Sequence, residues 1–308
     1  MGFPGLRFLH PFDSYRARRS YAYLCQHTSL PTSAQPGTYA GIRLVAPTAP
    51  LLDQDFELVH SPEYLKSLRK SLVVATAIEV LPFALTPIAF LDWCLVNPMR
   101  WASAGTLLAC REALEHGLCF SLTGGFHHAK PERGEGFCLF SDIGYAILKL
   151  RQEGKVSRVL YVDLDAHQGN GVCAIFRDDP ELRIFDVFNG DIYPYGEEDL
   201  KERIDCATAL EMESGDEAYE QALQKLPAFL EQNLPAQLLI YNAGSDIVSG
   251  DRLGGLAISP HALLERDRKV IGWARQLGLP TVFLPSGGYT EQSYRLVADS
   301  LLAQLSDS

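Results

Sequence analysis

The sequence predicts an α/β fold, a three-layer α-β-α arrangement around a central, mostly parallel sheet. Two patterns carry that expectation. From residue 102 onward, apolar runs of four to six residues alternate with longer segments of helical periodicity. Such alternation implies crossover units whose strands are covered on both faces. The unusual polar residues also fall directly after the apolar runs, where an open α/β sheet places its ligands.

The elements follow in order. Ala102–His116 has helical spacing and stops at Gly117, a residue suited to closing a helix. Leu118–Leu122 is a short apolar run that opens into Gly124-Gly125. Ser141 can cap a helix that runs to Gln152, with Gly154 just beyond it. Arg158–Asp163 and Arg183–Phe188 read as strands, and Glu217–Glu231 as a helix. Gln237–Tyr241 is a strand, Pro260–Gln276 a helix, Thr281–Leu284 a strand and Glu291–Leu305 a closing helix. Upstream, Thr28 to Thr38 is rich in Ser, Thr and Pro and reads as a surface loop.

The chain has 308 residues, a length that by itself suggests about two domains. Charge is 27 Lys+Arg against 38 Asp+Glu, a net of -11, which lacks the basic footprint of a nucleic-acid or anionic-membrane binder. A cationic partner such as a lysine-rich peptide remains compatible with it. The seven cysteines are scattered, with no C-x-x-C pair, so neither a disulfide framework nor a zinc ribbon is indicated. Neither a signal-peptide pattern nor a run of 18 apolar residues occurs. The expectation is a soluble, reduced protein of the cytoplasm, or of the nucleus in a eukaryote.

Four strand ends carry the chemistry. They read Gly124-Gly125-Phe126-His127-His128, Asp163-Leu164-Asp165-Ala166-His167, Asn242-Ala243-Gly244-Ser245-Asp246 and Ser286-Gly287-Gly288-Tyr289. In extended chain, residues two apart point to one face about 6.6 Å apart, so Asp165 and His167 can converge on one ion. Asp oxygen and His nitrogen suit Zn²⁺, and Asp246 from another strand end is the natural third ligand. Alone, a D-x-H triplet matches by chance and reads as a hydrogen-bonded pair ending a strand. Four loaded strand ends in register reverse that judgement. His127-His128, ordinarily a buried structural pair, can supply a general base beside a metal. Tyr289, otherwise a half-buried aromatic, can donate its hydroxyl to a developing oxyanion. His10, His27, His60, His116 and His261 lack such a context and read as structural or surface residues. Glu197-Glu198-Asp199 and Glu211–Glu217 read as solvated faces.

In these residues the sequence resembles the zinc-dependent histone deacetylase family, which shares its fold with arginases. The resemblance covers the whole chain and rests on residues 124–142 (GGFHHAKPERGEGFCLFSD), 161–171 (YVDLDAHQGNG), 242–246 and 286–289. The early segment from Leu9 to Asp13, the 189–194 segment and the run from Gly250 to Leu256 look most like the class IV branch and its bacterial relatives. The resemblance implies a single catalytic domain over 1–308 and zinc bound by Asp165, His167 and Asp246. It implies that His128 is the general base, His127 its electrostatic assistant, Asp163 the carboxylate that orients His127, and Tyr289 the oxyanion donor. Gly136, Phe137 and Tyr193 match the walls of a narrow acyl-lysine tunnel. A structural potassium would use Asp163, Asp165, His167, Asp186 and the Val187 carbonyl. The implied substrate is an acyl-lysine protein or peptide. Class IV likeness further implies a preference for long fatty acyl groups, with Gly124-Gly125 leaving the tunnel floor open.

Two departures stand out. Asn170 occupies the position where class I enzymes have Asp, so His128 has a neutral partner and should be less basic. The acidic rim residue of class I enzymes has no counterpart, because the nearest segment, Asn97-Pro98-Met99-Arg100, carries no carboxylate. Among rivals, an arginase-type two-manganese site needs a carboxylate where Gly169 stands. An acetylpolyamine amidohydrolase, acting on acylated polyamines, fits the same motifs. A catalytically silent binding module is disfavoured because every catalytic residue type is present.

Overall fold

A computed structural model describes residues 13–306, so His10 and the segment from Leu9 to Phe12 lie outside the described residues. The chain enters with helix α1 (Arg16–His27) and an antiparallel hairpin of β1 (Gly37–Tyr39) and β2 (Ile42–Leu44). Several helices of seven residues or fewer then lead into α2 (Asn97–His116). The remaining strands are β3 (Leu118–Phe120), β4 (Val159–Asp163), β5 (Leu182–Asn189), β6 (Cys206–Leu210), β7 (Leu238–Asn242) and β8 (Thr281–Leu284). Between and after them run α3 (Asp142–Gln152), α4 (Asp216–Leu223), α5 (Leu226–Gln232), α6 (Pro260–Gln276) and α7 (Ser293–Ser306).

β3 to β8 form one sheet in the order β3-β8-β7-β4-β5-β6, with all neighbours parallel. Successive side chains alternate between its two faces. Val159 and Tyr161 pack with Ile240 and Val282 against apolar residues of α2 and α3, including Cys110 and Ile147. Leu160 and Val162 pack with Leu239 and Phe283 against α4, α5 and α6 through Leu223, Phe229 and Val270. Burial on both faces is why these strands read as continuous apolar runs. One sheet carries all the strand ends of interest, so the two-domain expectation from length gives way to a single α/β domain.

Most predicted elements stand within a few residues of their expected limits. Gly117 closes α2 at φ 88°, and Ser141 caps α3 by accepting from the Gly144 N–H. The expected helix Glu217–Glu231 is two helices. Pro227 has no N–H, and its ring would strike the carbonyl four residues back, so α4 ends at Leu223 and Pro227 starts α5. The edge strand β6 was not anticipated, and the loop expected through Thr38 gives way to β1 at Gly37.

The topology locates the site. From β4 the chain steps outward to β5 and β6, then returns to the opposite side of β4 with β7 and β8. That reversal opens a crevice beyond the ends of β4 and β7, where Asp163 lies opposite Asn242. Buried Arg266 on α6 spans it, donating to the Leu164 and Gly244 carbonyls while pairing with Asp267. It thereby ties together the two loops that carry Asp165 and Asp246.

His60, expected to be structural or on the surface, is buried. One ring nitrogen bonds the Lys130 carbonyl, and the other accepts the Ser141 N–H at the start of α3. Burial pushes its pKa down to about 4. An unfolded His titrates near 6.5, so the contribution of neutral His60 is whole above pH 6.5 and lost as pH falls toward 4. The loss approaches about 3 kcal/mol, at roughly 1.4 kcal/mol per pH unit. Urea denaturation between pH 7 and pH 4 should show this slope, and His60→Gln should flatten it. An unchanged slope in the variant would assign the effect elsewhere.

Candidate active site

Asp165, His167 and Asp246 converge at the crevice, all buried, with donor atoms all within 4.8 Å of one another. His167 Nδ1 lies 3.1 Å from Asp165 Oδ1 and 3.1 Å from Asp246 Oδ2. A tetrahedral ion with donors at ~2.0–2.1 Å separates them by about 3.3 Å, so this spacing fits a metal. Backbone amides aim the carboxylates: Gly287 N–H donates to Asp165 Oδ2 at 2.8 Å, and Ala166 N–H to Asp246 Oδ1 at 3.0 Å. The cradle has no room for side chains. A Cβ on Gly244 would stand 2.3 Å from Asp165 Oδ2, and one on Gly287 2.3 Å from Asp246 Oδ2. Burial alone would depress the pKa of His167, yet the two carboxylates overcome it and hold it up to about 10. The site therefore demands positive charge at this point, a demand that a divalent cation meets.

His127 and His128 stand beside the triad with ring centroids 4.0 Å apart. His127 Nδ1 bonds Asp163 Oδ2 at 2.8 Å, while His128 Nδ1 bonds Asn170 Oδ1 at 2.8 Å. These partners separate the two imidazoles. Burial opposes charge on His127, but Asp163 and Asp165 outweigh it and push its pKa up to about 9. His128 is lowered well below 6.5 by burial, then by the charges of His127 and His167, which outweigh the support of the neutral Asn170 amide and of the Asp165 charge. Asp163 is fixed in turn by Tyr161 Oη and Asn242 Nδ2.

Tyr289 closes another side of the site, its ring edge-on to His167 with centroids 6.2 Å apart. Burial, then the charges of Asp246 and Asp165, raise its phenol well above 10, so it remains a donor. Asp251 accepts the Tyr289 N–H at 2.7 Å and holds the turn. Phe137 stands edge-on to Tyr289 at 5.9 Å, and Tyr193 edge-on to His128 at 5.0 Å. Gly136, at φ 53°, lies under the His128 ring, where a Cβ would come within 2.4 Å of Cδ2. The expected tunnel residues are thus gathered around the two histidines and Tyr289.

The open floor expected at Gly124-Gly125 is absent. A Cβ on Gly124 would meet Thr106 Oγ1 at 2.3 Å and Asp142 Oδ2 at 2.5 Å, and one on Gly125 would meet Asn242 Oδ1 at 2.5 Å. These glycines permit close packing, with Asp142 accepting the Gly125 and Phe126 N–H groups. They do not vacate space.

Other expectations shift too. Glu198 and Asp199 are exposed, but Glu197, read as part of the same solvated face, turns inward to Lys130 and Asn170. Arg100 pairs with Asp53 and Asp92, so the 97–100 segment is committed to α2 and its surroundings. A carboxylate from another segment, Glu79, stands exposed at φ 59°. Partial desolvation raises its pKa, His167 pulls it down and Glu135 pushes it up, which places it within electrostatic reach of the site. Only its unusual position before an apolar Val80-Leu81-Pro82 could have flagged it in the sequence. Asp186, beside Asp163 in the sheet, has a buried Oδ1 without a hydrogen-bond partner. Burial, then the Asp163 charge, pushes its pKa well up. All seven cysteines are unbridged, and no helix among the described residues is long and apolar enough to cross a membrane.

Histone deacetylase 2 of Arabidopsis thaliana is 39% identical over 98% of this chain and 75% of its own length. Among solved structures, the HDA15 HD domain superposes with a TM-score of 0.74 at 20% identity, covering 97% of this chain and 85% of its own. Acetylpolyamine aminohydrolase from Burkholderia pseudomallei gives 0.70 at 19% identity, covering 94% and 89%. At those identities the two structures speak for the fold. The histone deacetylase domain matches residues 10–305, nearly the whole chain, which therefore belongs to the histone deacetylase family of hydrolases.

Proposed function

We propose that residues 1–308 form one catalytic domain, a zinc-dependent amidohydrolase that removes acyl groups from the side-chain amine of lysine. The observation that carries this reading is a metal-fitting triad beside two buried histidines whose surroundings drive their basicities apart. Paired groups separated in this way divide acid and base roles. Asp165, His167 and Asp246 would hold zinc and leave a position for substrate. When bound, zinc polarises the scissile carbonyl and acidifies a water.

The protein's own residues do the rest. His128, kept neutral by burial, accepts a proton from the attacking water. His127, held charged by Asp163, stabilises negative charge and supplies a proton to the departing lysine amine. Tyr289 donates its hydroxyl to the oxyanion that forms at the acyl carbon. Gly136, Phe137 and Tyr193 wall the passage that admits the lysine side chain. Asp163, Asp165, His167, Asp186 and the Val187 carbonyl would hold a structural potassium, a reading supported by the buried Asp186 Oδ1 that has no hydrogen-bond partner.

Long-chain preference lacks support from the packed glycines at 124 and 125, so it rests on the class IV likeness alone. Hydrolysis of acetyl-, octanoyl- and myristoyl-lysine peptides, with acetylspermidine in parallel, tests the reading. Turnover of lysine peptides is the expected result. Turnover of the polyamine alone would overturn it, and acetyl turnover equal to or above myristoyl would remove the long-chain preference.

A further inference from the structure

Asn170 poses a problem that an aspartate would not. A carboxylate accepts hydrogen bonds only, so it forces a neighbouring histidine to present N–H. An amide offers oxygen on one side and NH₂ on the other, so it can satisfy either tautomer. If Asn170 turned its NH₂ toward His128 Nδ1, the ring proton would move to Nε2. His128 would then have no lone pair on the nitrogen away from Asn170.

The residues behind Asn170 remove that ambiguity. Asn170 Nδ2 donates to Glu135 Oε1 and to Glu197 Oε2, each at 2.7 Å. Both carboxylates are acceptors only, so the NH₂ must face them and Oδ1 must face His128 Nδ1, 2.8 Å away. Lys130, 6% exposed, pairs with both, at 2.9 Å from Glu135 Oε1 and closely with Glu197 Oε1. Arg133 binds the outer oxygen of Glu135 at 2.6 Å, and Tyr193 Oη donates to its inner one at 3.1 Å. Glu135 and Glu197 come from different segments and meet only here.

We propose that Glu135 and Glu197, neutralised by Lys130 and Arg133, are positioning residues that lock the Asn170 amide and hold His128 in the Nδ1–H tautomer. They act through Asn170 and touch no reacting atom. The inference rests on His128 serving as the base in the proposed function, but the lock itself is measurable without turnover.

The variants reverse the polarity of the network. In Glu135→Gln/Glu197→Gln, Arg133 claims the amide oxygen at the Glu135 Oε2 position and Lys130 with Arg133 that at the Glu197 Oε1 position, which leaves both NH₂ groups facing Asn170. The Asn170 amide then turns over and His128 switches to the Nε2–H tautomer. Adding Asn170→Asp restores an acceptor toward both glutamines and toward His128. Long-range ¹⁵N–¹H correlation spectra of histidine-labelled, zinc-loaded protein read the tautomer directly. Wild type and triple variant should show Nδ1–H at His128, and the double variant Nε2–H. In peptide hydrolysis, kcat of the double variant should fall on the order of 100-fold with KM little changed, and the triple variant should recover most of it. Nε2–H in the wild type would overturn the lock even if the variants failed to fold. So would Nδ1–H in a folded double variant, or a kcat loss that Asn170→Asp leaves untouched. A wild type with Nδ1–H that hydrolyses no acyl-lysine peptide would refute the functional reading while leaving the lock standing.

Discussion

His128→Ala should reduce acyl-lysine turnover by about 10²–10⁴-fold, the usual worth of a positioned general base, while zinc content stays at the wild-type level. The two halves of this result have separate causes. His128 is not among the converging donors, and the carboxylates of Asp165 and Asp246 are aimed by backbone amides that the substitution leaves in place. What disappears is the one buried imidazole held neutral beside the triad. Its neighbour cannot replace it, because Asp163 and Asp165 keep His127 charged. Tyr289→Phe should behave similarly at about 10²–10³-fold, since it removes a single oxyanion donor. Peptide kinetics beside metal analysis of the same preparations read both quantities. Loss of zinc in His128→Ala would mean that the imidazole belongs to the metal cradle, and the division of roles would fail.

Gly287→Ala should weaken zinc binding by about 10–100-fold, the range found when groups supporting metal ligands are disturbed. The new Cβ would lie 2.3 Å from Asp246 Oδ2 and 2.7 Å from Asp165 Oδ2, so both ligand carboxylates must move. Overpacking of this kind also costs about 1–3 kcal/mol of stability. Gly272→Ala provides the contrast. That glycine lies within α6, a Cβ there meets nothing within 4 Å, and the substitution should stabilise the helix by roughly 0.5–1 kcal/mol. Competition with a zinc-chelating dye and urea denaturation measure the pair. Wild-type affinity in Gly287→Ala would show that the carboxylates are free to shift, contrary to the packed cradle described above.

The second half of the fold was legible because its signals are long and local. Pro260–Gln276 stands as α6 and Thr281–Leu284 as β8, each with the limits read from the sequence. β6 was missed because Cys206–Leu210 is short, half-exposed and built of Cys, Ala, Thr and Leu, with little apolar contrast. The helices between Asp53 and Leu91 run four to seven residues, shorter than the window over which helical periodicity can be recognised.

The site was legible where chemistry sits at strand ends, since Asp165, His167, Asp246 and Tyr289 follow apolar runs directly. Glu135 and Glu197 were not, because their environment depends on segments sixty residues apart meeting around Lys130 and Asn170. Glu197-Glu198-Asp199 looks uniformly solvated in sequence, and only the folded chain shows one of the three turned inward. The glycines at 124 and 125 failed in the opposite way. The missing side chains suggested space, and the fold fills that space with Thr106, Asp142 and Asn242.

The most direct test of the account is mass-spectrometric detection of products when zinc-loaded protein meets an acyl-lysine peptide. Wild type should release free lysine peptide and the carboxylic acid in equal amounts, and Asp246→Ala should release neither. Intact peptide after prolonged incubation with fully zinc-occupied wild type, or equal hydrolysis by Asp246→Ala, would contradict it.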